Sequence, residues 1–558
     1  MSLRFGVLSL AIALAAVACG GGGGGSESPG SSSSTGSSSS SNSSSTSSSS
    51  SSGGMGYLDE EYLSGGDASI ARFDDDAFGQ SPAAITSNFD LDALFKQGNF
   101  LFRNELNGIG PLLNNPTCQG CHLKDGRGNP PLANSETFTS MLIKLSLGND
   151  ADNHPIPDPI YGTQIQSFGL SAIGELQDAS YEAALDNVTV TGEAHAFISY
   201  EEIEGLYSDG TVFTLRKPVY YLSEAAYGEF SSGLLISPRV APPMIGLGLL
   251  GAIPPEDIIA LADEDDANSD GISGRVRYVE NNTSGEAELG RYGWKSSTGS
   301  VLQQTSNAFE GDLGLTNQFA IDEGCTPSQT SCLAMAETEA QTGDSADVSD
   351  IVLASVEFYS RLLAVPQRRG FDTATNTWNA DIIAGTEIFE NIGCVDCHVR
   401  HFETAEAAPS VMGEVVSLVS LQPGGEPIDV LSHQHIWPHS DLLLHDMGGS
   451  CDPIVRETAE AQSCTGGADC FWVQRCEGLA DGRPDGTASG SEWRTAPLWG
   501  LGLTQTVNAN AGFLHDGRAR TIEEAILWHA GEANNSQQAF INLSAGERSQ
   551  LLAFLNSL

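Results

Sequence analysis

Cys394-Val395-Asp396-Cys397-His398 decides how this chain is read, and Cys118-Gln119-Gly120-Cys121-His122 carries the same pattern 276 residues earlier. CxxCH is the attachment pattern of a c-type haem. Two thiols bond the porphyrin vinyl groups, and the adjacent imidazole becomes the proximal iron ligand. A short loop suits this chemistry because it brings both sulfurs to one edge of the ring with the histidine beneath. Two such motifs predict two covalently bound haem c groups, held by Cys118, Cys121, Cys394 and Cys397. His122 and His398 are the expected proximal ligands. A zinc site or a thiol redox pair is the rival reading of the same residues.

The flanking sequence fits haem modules. Ile382, Ile383, Ile388 and Phe389 punctuate a helical stretch that stops at Gly393, just before the second motif. Leu91, Leu94, Phe95 and residues 100–102 do the same before the first. Ser544 and Glu547 form a capping box that opens a last helix, with Leu551, Leu552, Phe554, Leu555 and Leu558 on its apolar face. A last helix packed across the first is the cytochrome c arrangement. Residues 351–364 read as an apolar helix ending before Pro366, expected beside the second module. Val188-Thr189-Val190-Thr191 and residues 211–215 read as short strands. The expected fold is therefore mainly α. Two cytochrome c-like modules, 56–185 and 371–558, flank a mixed α/β insertion with a connecting helix at 186–370.

The N-terminus reads as an export signal. Arg4 precedes an apolar run at 5–17, and Ala16-Val17-Ala18-Cys19 is a small-residue cleavage site ending in cysteine. Residues 1–19 are expected to be a lipoprotein-type signal peptide with Cys19 lipidated; plain signal cleavage is the alternative. Residues 20–55 are a Gly/Ser-rich tether that cannot bury a core. No later run reaches the roughly 18 apolar residues of a membrane span. Membrane contact is thus expected by lipid anchor only, at the periplasmic face or cell surface of a Gram-negative-type envelope. Among 558 residues, 72 acidic side chains against 25 basic ones give a net charge of −47. Such a polyanion repels nucleic acid and favours a basic redox partner; a solvated acidic surface explains the same count.

The chain has eleven cysteines. With Cys19 and the haem cysteines set aside, six remain, enough for three disulfides in an exported protein. Cys325 with Cys332 is the natural local pair. Cys451, Cys464, Cys470 and Cys476 can pair in three ways.

Several residues are candidates for the far side of each iron. Met447 is a candidate axial ligand of the second haem, or packs against its edge. His445 is read as a ligand or a propionate partner. His515 suits a haem rim, with Arg518 or Arg520 facing a propionate. Thr521 and Glu524 cap a helix on which Ile522, Ala525, Ile526 and His529 share one face; a histidine there is usually a core residue. His433, His435 and His439 cluster around Trp437. Asp266, Asn268 and Asp270, with Gly271, place oxygens as a calcium loop does. Arg277 stands where the closing Glu of an EF-hand would be, so an acidic turn is the alternative.

Gly110-Pro111-Leu112 before the first motif, Pro238-Arg239-Val240-Ala241-Pro242-Pro243 and Gly290-Arg291-Tyr292-Gly293-Trp294-Lys295 carry a family resemblance. So do residues 441–448, Trp493-Arg494-Thr495-Ala496-Pro497-Leu498-Trp499-Gly500 and Phe513-Leu514-His515-Asp516-Gly517-Arg518-Ala519-Arg520. From about residue 90 onward the chain resembles the bacterial di-haem c-type oxidoreductases described as thiol oxidoreductases. That family is similar in turn to the di-haem cytochrome c peroxidases and to the enzyme that matures a tryptophan-derived quinone. The resemblance implies one haem that relays electrons and one that meets peroxide, a small-molecule oxidant or another substrate; it adds little on calcium, although calcium between the haems is common among the related peroxidases. Two departures stand out. The motifs are far apart, and Glu492 occupies the place where the peroxidases carry a methionine, which makes Glu492 a candidate catalytic residue. The expected function is an exported di-haem oxidoreductase with peroxidase-like or substrate-oxidation chemistry. The alternative is a non-catalytic di-haem electron-transfer lipoprotein.

Overall fold

The computed structural model describes residues 59–106, 110–131, 138–169, 190–342, 346–407 and 428–558. The export signal, the tether, the first half of the strand expected at 188–191 and the boundary expected near 185 lie outside these residues. The described part belongs to one compact unit.

Six helices position the site: α1 (Phe89–Arg103), α2 (Val301–Leu313), α3 (Asp350–Arg361), α4 (Ala380–Asn391), α5 (Ile522–Leu527) and α6 (Ala545–Ser557). Asn88 caps α1 by accepting the backbone N–H groups of Asp90 and Leu91, and Asn379 caps α4 through Asp381. The capping box of Ser544 and Glu547 opens α6 as the sequence predicts. α6 crosses α4 at Gly385, where any Cβ would collide with the Gln550 carbonyl. This is the arrangement expected of the second module.

The first module is closed differently. α3, expected beside the second module, instead crosses α1 at Gly98, where a Cβ would strike the Ser355 carbonyl. Leu353, Val356 and Tyr359 of α3 are buried in the same core as Leu94, Phe95 and Phe102. The Tyr359 ring lies 4.8 Å from Phe95 and 5.4 Å from Phe102. Matching apolar faces override sequence distance, and the intervening chain is an excursion from the first module.

The mainly α expectation is overturned. The chain is 30% helical and 22% strand, a mixed α/β fold with many small sheets. The strands around the site are β1 (Met141–Ser146), β2 (His195–Leu206), β3 (Val212–Ser223), β4 (Leu235–Val240), β5 (Leu444–Asp446), β6 (Gly449–Cys451), β7 (Val455–Glu457), β8 (Phe471–Gly478) and β9 (Glu492–Arg494). The largest sheet has five strands in the order β6-β8-β3-β2, with β7 also on β8. β2 and β3 form a long hairpin of 12 residues each. Its charged half pairs Glu201 with Lys217 and Glu202 with Arg216 across the strands. Those charges interrupt the apolar alternation that would have marked the strands. The hairpin tip docks on the C-terminal region: Arg548 pairs with Asp209 at 2.8 Å, and Tyr207 donates to Glu523 at 2.7 Å.

Cys325–Cys332 forms as expected, and the remaining four cysteines resolve as Cys451–Cys476 and Cys464–Cys470. Among the described residues no helix is long and apolar enough to cross a membrane.

Candidate functional site: two matched cavities and a shared wall

The first motif sits on one helical turn, Cys118–Cys121, capped by the Thr117 hydroxyl accepting the Gly120 N–H at 3.1 Å. Gly120 is pressed on the Asn115 amide, which leaves no room for a side chain. Cys118, Cys121, Cys394 and Cys397 are free, while the other six described cysteines are paired. Burial pushes the Cys118 and Cys394 thiols up to about 12 and raises those of Cys121 and Cys397 as well. All four are therefore protonated thiols, the form that adds across a vinyl group.

The two histidines are held alike. His122 Nδ1 lies 2.9 Å from the Pro242 carbonyl, and His398 Nδ1 lies 2.9 Å from the His439 carbonyl. A carbonyl only accepts, so each Nδ1 carries the hydrogen and each Nε2 is left as a free lone pair. Burial drops both to a pKa of about 4, so both rings are neutral. Phe102 stands 6.0 Å from the His122 ring at 54°, and Phe389 stands 6.1 Å from the His398 ring at 52°. The two sites are copies of one construction.

Each motif lines its own cavity, of about 470 Å³ at the first site and about 220 Å³ at the second. Trp294, Arg127 and Arg494 line both. Trp294 is fixed by Nε1 donating to the Val240 carbonyl at 2.8 Å. Arg127 lies over its ring, 5.1 Å from the centre. Neither arginine has a carboxylate partner among the described residues. Arg494 donates to the Gly293 and Thr495 carbonyls, and Arg127 donates to the Leu514 carbonyl. Burial lowers both guanidinium groups to about 10, which leaves them charged at neutral pH. Unpaired cations in a dry wall call for anionic ligands. Two thiols, a free imidazole Nε2 and buried cations together match the vinyl, iron and propionate groups of haem, so the residues fit the group.

The other expected residues divide. Met447 lines the second cavity. His445 does too, but its Nε2 pairs with Asp441 at 2.8 Å and its Nδ1 with Glu532 at 2.7 Å. These hydrogen bonds, against the opposing effect of burial, raise it to about 12. A doubly hydrogen-bonded imidazolium has no lone pair for a metal. His515 lines the second cavity and is neutral, lowered to about 3 by burial. Arg518 is spent on Asp516 at 2.8 Å, and Arg520 on Glu524 at 2.7 Å. His433, His435 and His439 do not converge. His435 Nδ1 meets His401 Nε2 at 3.0 Å, and His439 contributes its carbonyl to His398. Glu492 lies on β9, bound by both oxygens to Arg275 at 2.7 Å, and lines neither cavity. In the calcium candidate loop, Asp266, Asn268 and Asp270 turn their side-chain oxygens onto backbone N–H groups of Gly271, Asp270 and Ile272.

Sequence reasoning undervalued His529. It lines the second cavity together with Ile522, Ala525 and Ile526. Its Nδ1 donates to the Ala525 carbonyl at 2.7 Å, leaving Nε2 free as in the two proximal histidines. The shared helix face was the visible signal, but the cavity it faces was not. At the first cavity, Lys144, Gln304, Asn307 and Asp312 supply polar lining that sequence analysis did not single out. Burial raises Asp312, whose Oδ1 accepts from Gln164 at 3.0 Å.

The family described as "Di-haem oxidoreductase, putative peroxidase" matches residues 52–472 and 451–558. No curated protein matches the chain. Solved structures similar to it include hydrazine synthase of Kuenenia stuttgartiensis, at 17% identity and a TM-score of 0.22, covering 43% of this chain and 65% of that one. The chain thus spans just under two thirds of that protein's length. A MauG-like protein associated with microbial copper homeostasis is 16% identical with a TM-score of 0.23, covering 55% of this chain and 89% of that one. With the family match running along the body of the chain, this protein belongs to the di-haem oxidoreductases.

Proposed function

We propose that this protein is an exported c-type di-haem oxidoreductase whose first site acts on peroxide or another small oxidant or substrate, while its second site relays electrons. The inequality of the two cavities carries this reading. Two sites built alike to hold the same group enclose about 470 and 220 Å³. The extra room at the first site is worth several waters at roughly 30 Å³ each. It is also where the polar side chains Lys144, Gln304, Asn307 and Asp312 lie.

When bound, haem supplies an iron that exchanges electrons and takes a small ligand wherever no protein ligand blocks it. His122 and His398 would hold the irons through Nε2, and Cys118, Cys121, Cys394 and Cys397 would anchor the rings. His529, with Nε2 free, would be the protein ligand available to the second iron. At the first site burial raises Asp312, and its Oδ2 is the oxygen that Gln164 does not engage. Lys144, lowered by burial, brings its amine into the same chamber. Such a pair meets the need for a group that moves protons during O–O cleavage. Trp294 lines both cavities, in the wall that an electron passing between the two groups would cross.

Three disulfides favour an oxidising compartment, and Cys19 supplies the lipid anchor. The charge of −47 favours a basic electron donor. The 266–271 loop spends its oxygens on its own backbone, and no calcium enters this reading. A redox titration followed by electronic spectra, with peroxide and cyanide added at each potential, tests the proposal. One ligand-accessible iron beside one inert iron is expected. Two irons inert to both ligands in every redox state would leave a non-catalytic carrier.

A further inference from the structure

The wall between the two sites holds a buried cation without a counter-ion. Arg127 is 8% exposed and lines both cavities. Its guanidinium spends Nη2 on the Leu514 carbonyl, and its Nε has no hydrogen-bond partner. Asp516 is the carboxylate whose charge it feels most, but Asp516 is already committed to Arg518 and Tyr220. A buried charge left in this state is strongly disfavoured unless something completes it.

The backbone around it is anchored on both sides. Asn508 donates to the Arg127 carbonyl at 2.9 Å. Gly128 donates to the Ala241 carbonyl at 3.0 Å, one residue before the Pro242 carbonyl that orients His122. Leu514, which receives Nη2, directly precedes His515 in the lining of the second cavity. Arg127 therefore stands on the frame of both sites at once. Its guanidinium presents five donors in one plane, enough to serve two carboxylates on different edges.

We propose that Arg127 is the shared counter-ion of the two prosthetic groups, binding a propionate of each and coupling the two redox sites electrostatically. This rests on the reading that haem occupies both cavities. Reduction adds an electron to a site, and a fixed positive charge beside it favours that state. One cation adjoining both sites favours reduction at both. Arg494 is less suited to the role, because its Nε and Nη1 are already used on backbone carbonyls.

Spectroelectrochemical titration of the full-length holoprotein tests this, after haem content has been measured for each variant. Wild type lacking two haems per chain would fail the haem reading itself. With both haems present, Arg127→Gln should lower the reduction equilibrium constant of each site about tenfold, or about 59 mV for a one-electron couple. Arg127→Lys keeps the charge without the fork and should move both sites in the same direction by less than half as much. A shift at one site only, or at neither, overturns the proposal. Where Arg127→Gln fails to assemble, Arg127→Met, which keeps most of the volume without the charge, decides by the same criterion.

Discussion

The rings of Trp493 and His515 lie face to face, 3.7 Å apart and 11° from parallel. Lys295, fully buried, rests 4.5 Å above the Trp493 ring and pairs with Asp481 at 2.9 Å. Trp493 Nε1 donates to the Leu479 carbonyl at 2.9 Å. The second cavity is thus floored by a stack in which a cation, an indole and a neutral imidazole support one another. Trp493→Ala should cost about 3–5 kcal/mol of stability, read by denaturant unfolding. It should disturb the spectrum of the second haem and spare the first; equal disturbance of both would show that the stack does not belong to one site.

His529→Gly should open the second iron, with high-spin absorption appearing and cyanide binding gained there. Imidazole added to the variant should restore the low-spin spectrum. Met447→Leu should leave it unchanged. A spectral change in the methionine variant and none in the histidine variant would exchange their roles.

Asp312→Asn should lower peroxide turnover by about 100-fold or more, in line with loss of a positioned acid–base group. The second haem's spectrum should not move, because Asp312 lines only the first cavity. Turnover within twofold of wild type would remove Asp312 from the proton path.

His445 is raised from 6.5 to about 12, with hydrogen bonds to Asp441, Cys397 and Glu532 outweighing burial. Between these values the folded state holds a proton that the unfolded chain has released. Its contribution is full below about pH 6.5 and declines as pH rises toward 12, by up to ~1.4 kcal/mol per pH unit. Unfolding of wild type and His445→Gln at pH 6, 8 and 10 should show the wild-type advantage shrinking with pH. An advantage that grew with pH would mean the ring is neutral.

Gly385→Ala should force α4 and α6 apart, because a Cβ meets the Gln550 carbonyl. Gly98→Ala should do the same to α1 and α3 at the Ser355 carbonyl. Each is expected to cost more than the usual 0.5–3 kcal/mol of a point mutation and to lower haem retention at its own module.

The paired sites were legible because each CxxCH motif is written in five consecutive residues. The helix caps were legible for the same reason: Ser544 and Glu547 need only each other. What was hidden is non-local. Nothing near residue 350 says that Tyr359 meets Phe102. The long hairpin was masked by charges that are satisfied only across the strands. Glu492 drew attention by its position in the chain, yet Arg275 holds both of its oxygens. His529 was visible on a helix face, but the cavity it lines is built by segments distant in sequence. Arg127 gave no signal, since a lone arginine shows neither its burial nor its missing partner.

The crossing of α1 by α3 also sets an order of events during biogenesis. Residues 89–103 leave the ribosome long before residues 350–361, whereas α4 waits a shorter interval for α6. At roughly 5–20 residues per second, the first module remains unclosed for on the order of 10–50 s of synthesis. The helix that seals the first module arrives only after the excursion has been made, so Cys118 and Cys121 stay outside the cavity that buries them for longer than Cys394 and Cys397 do.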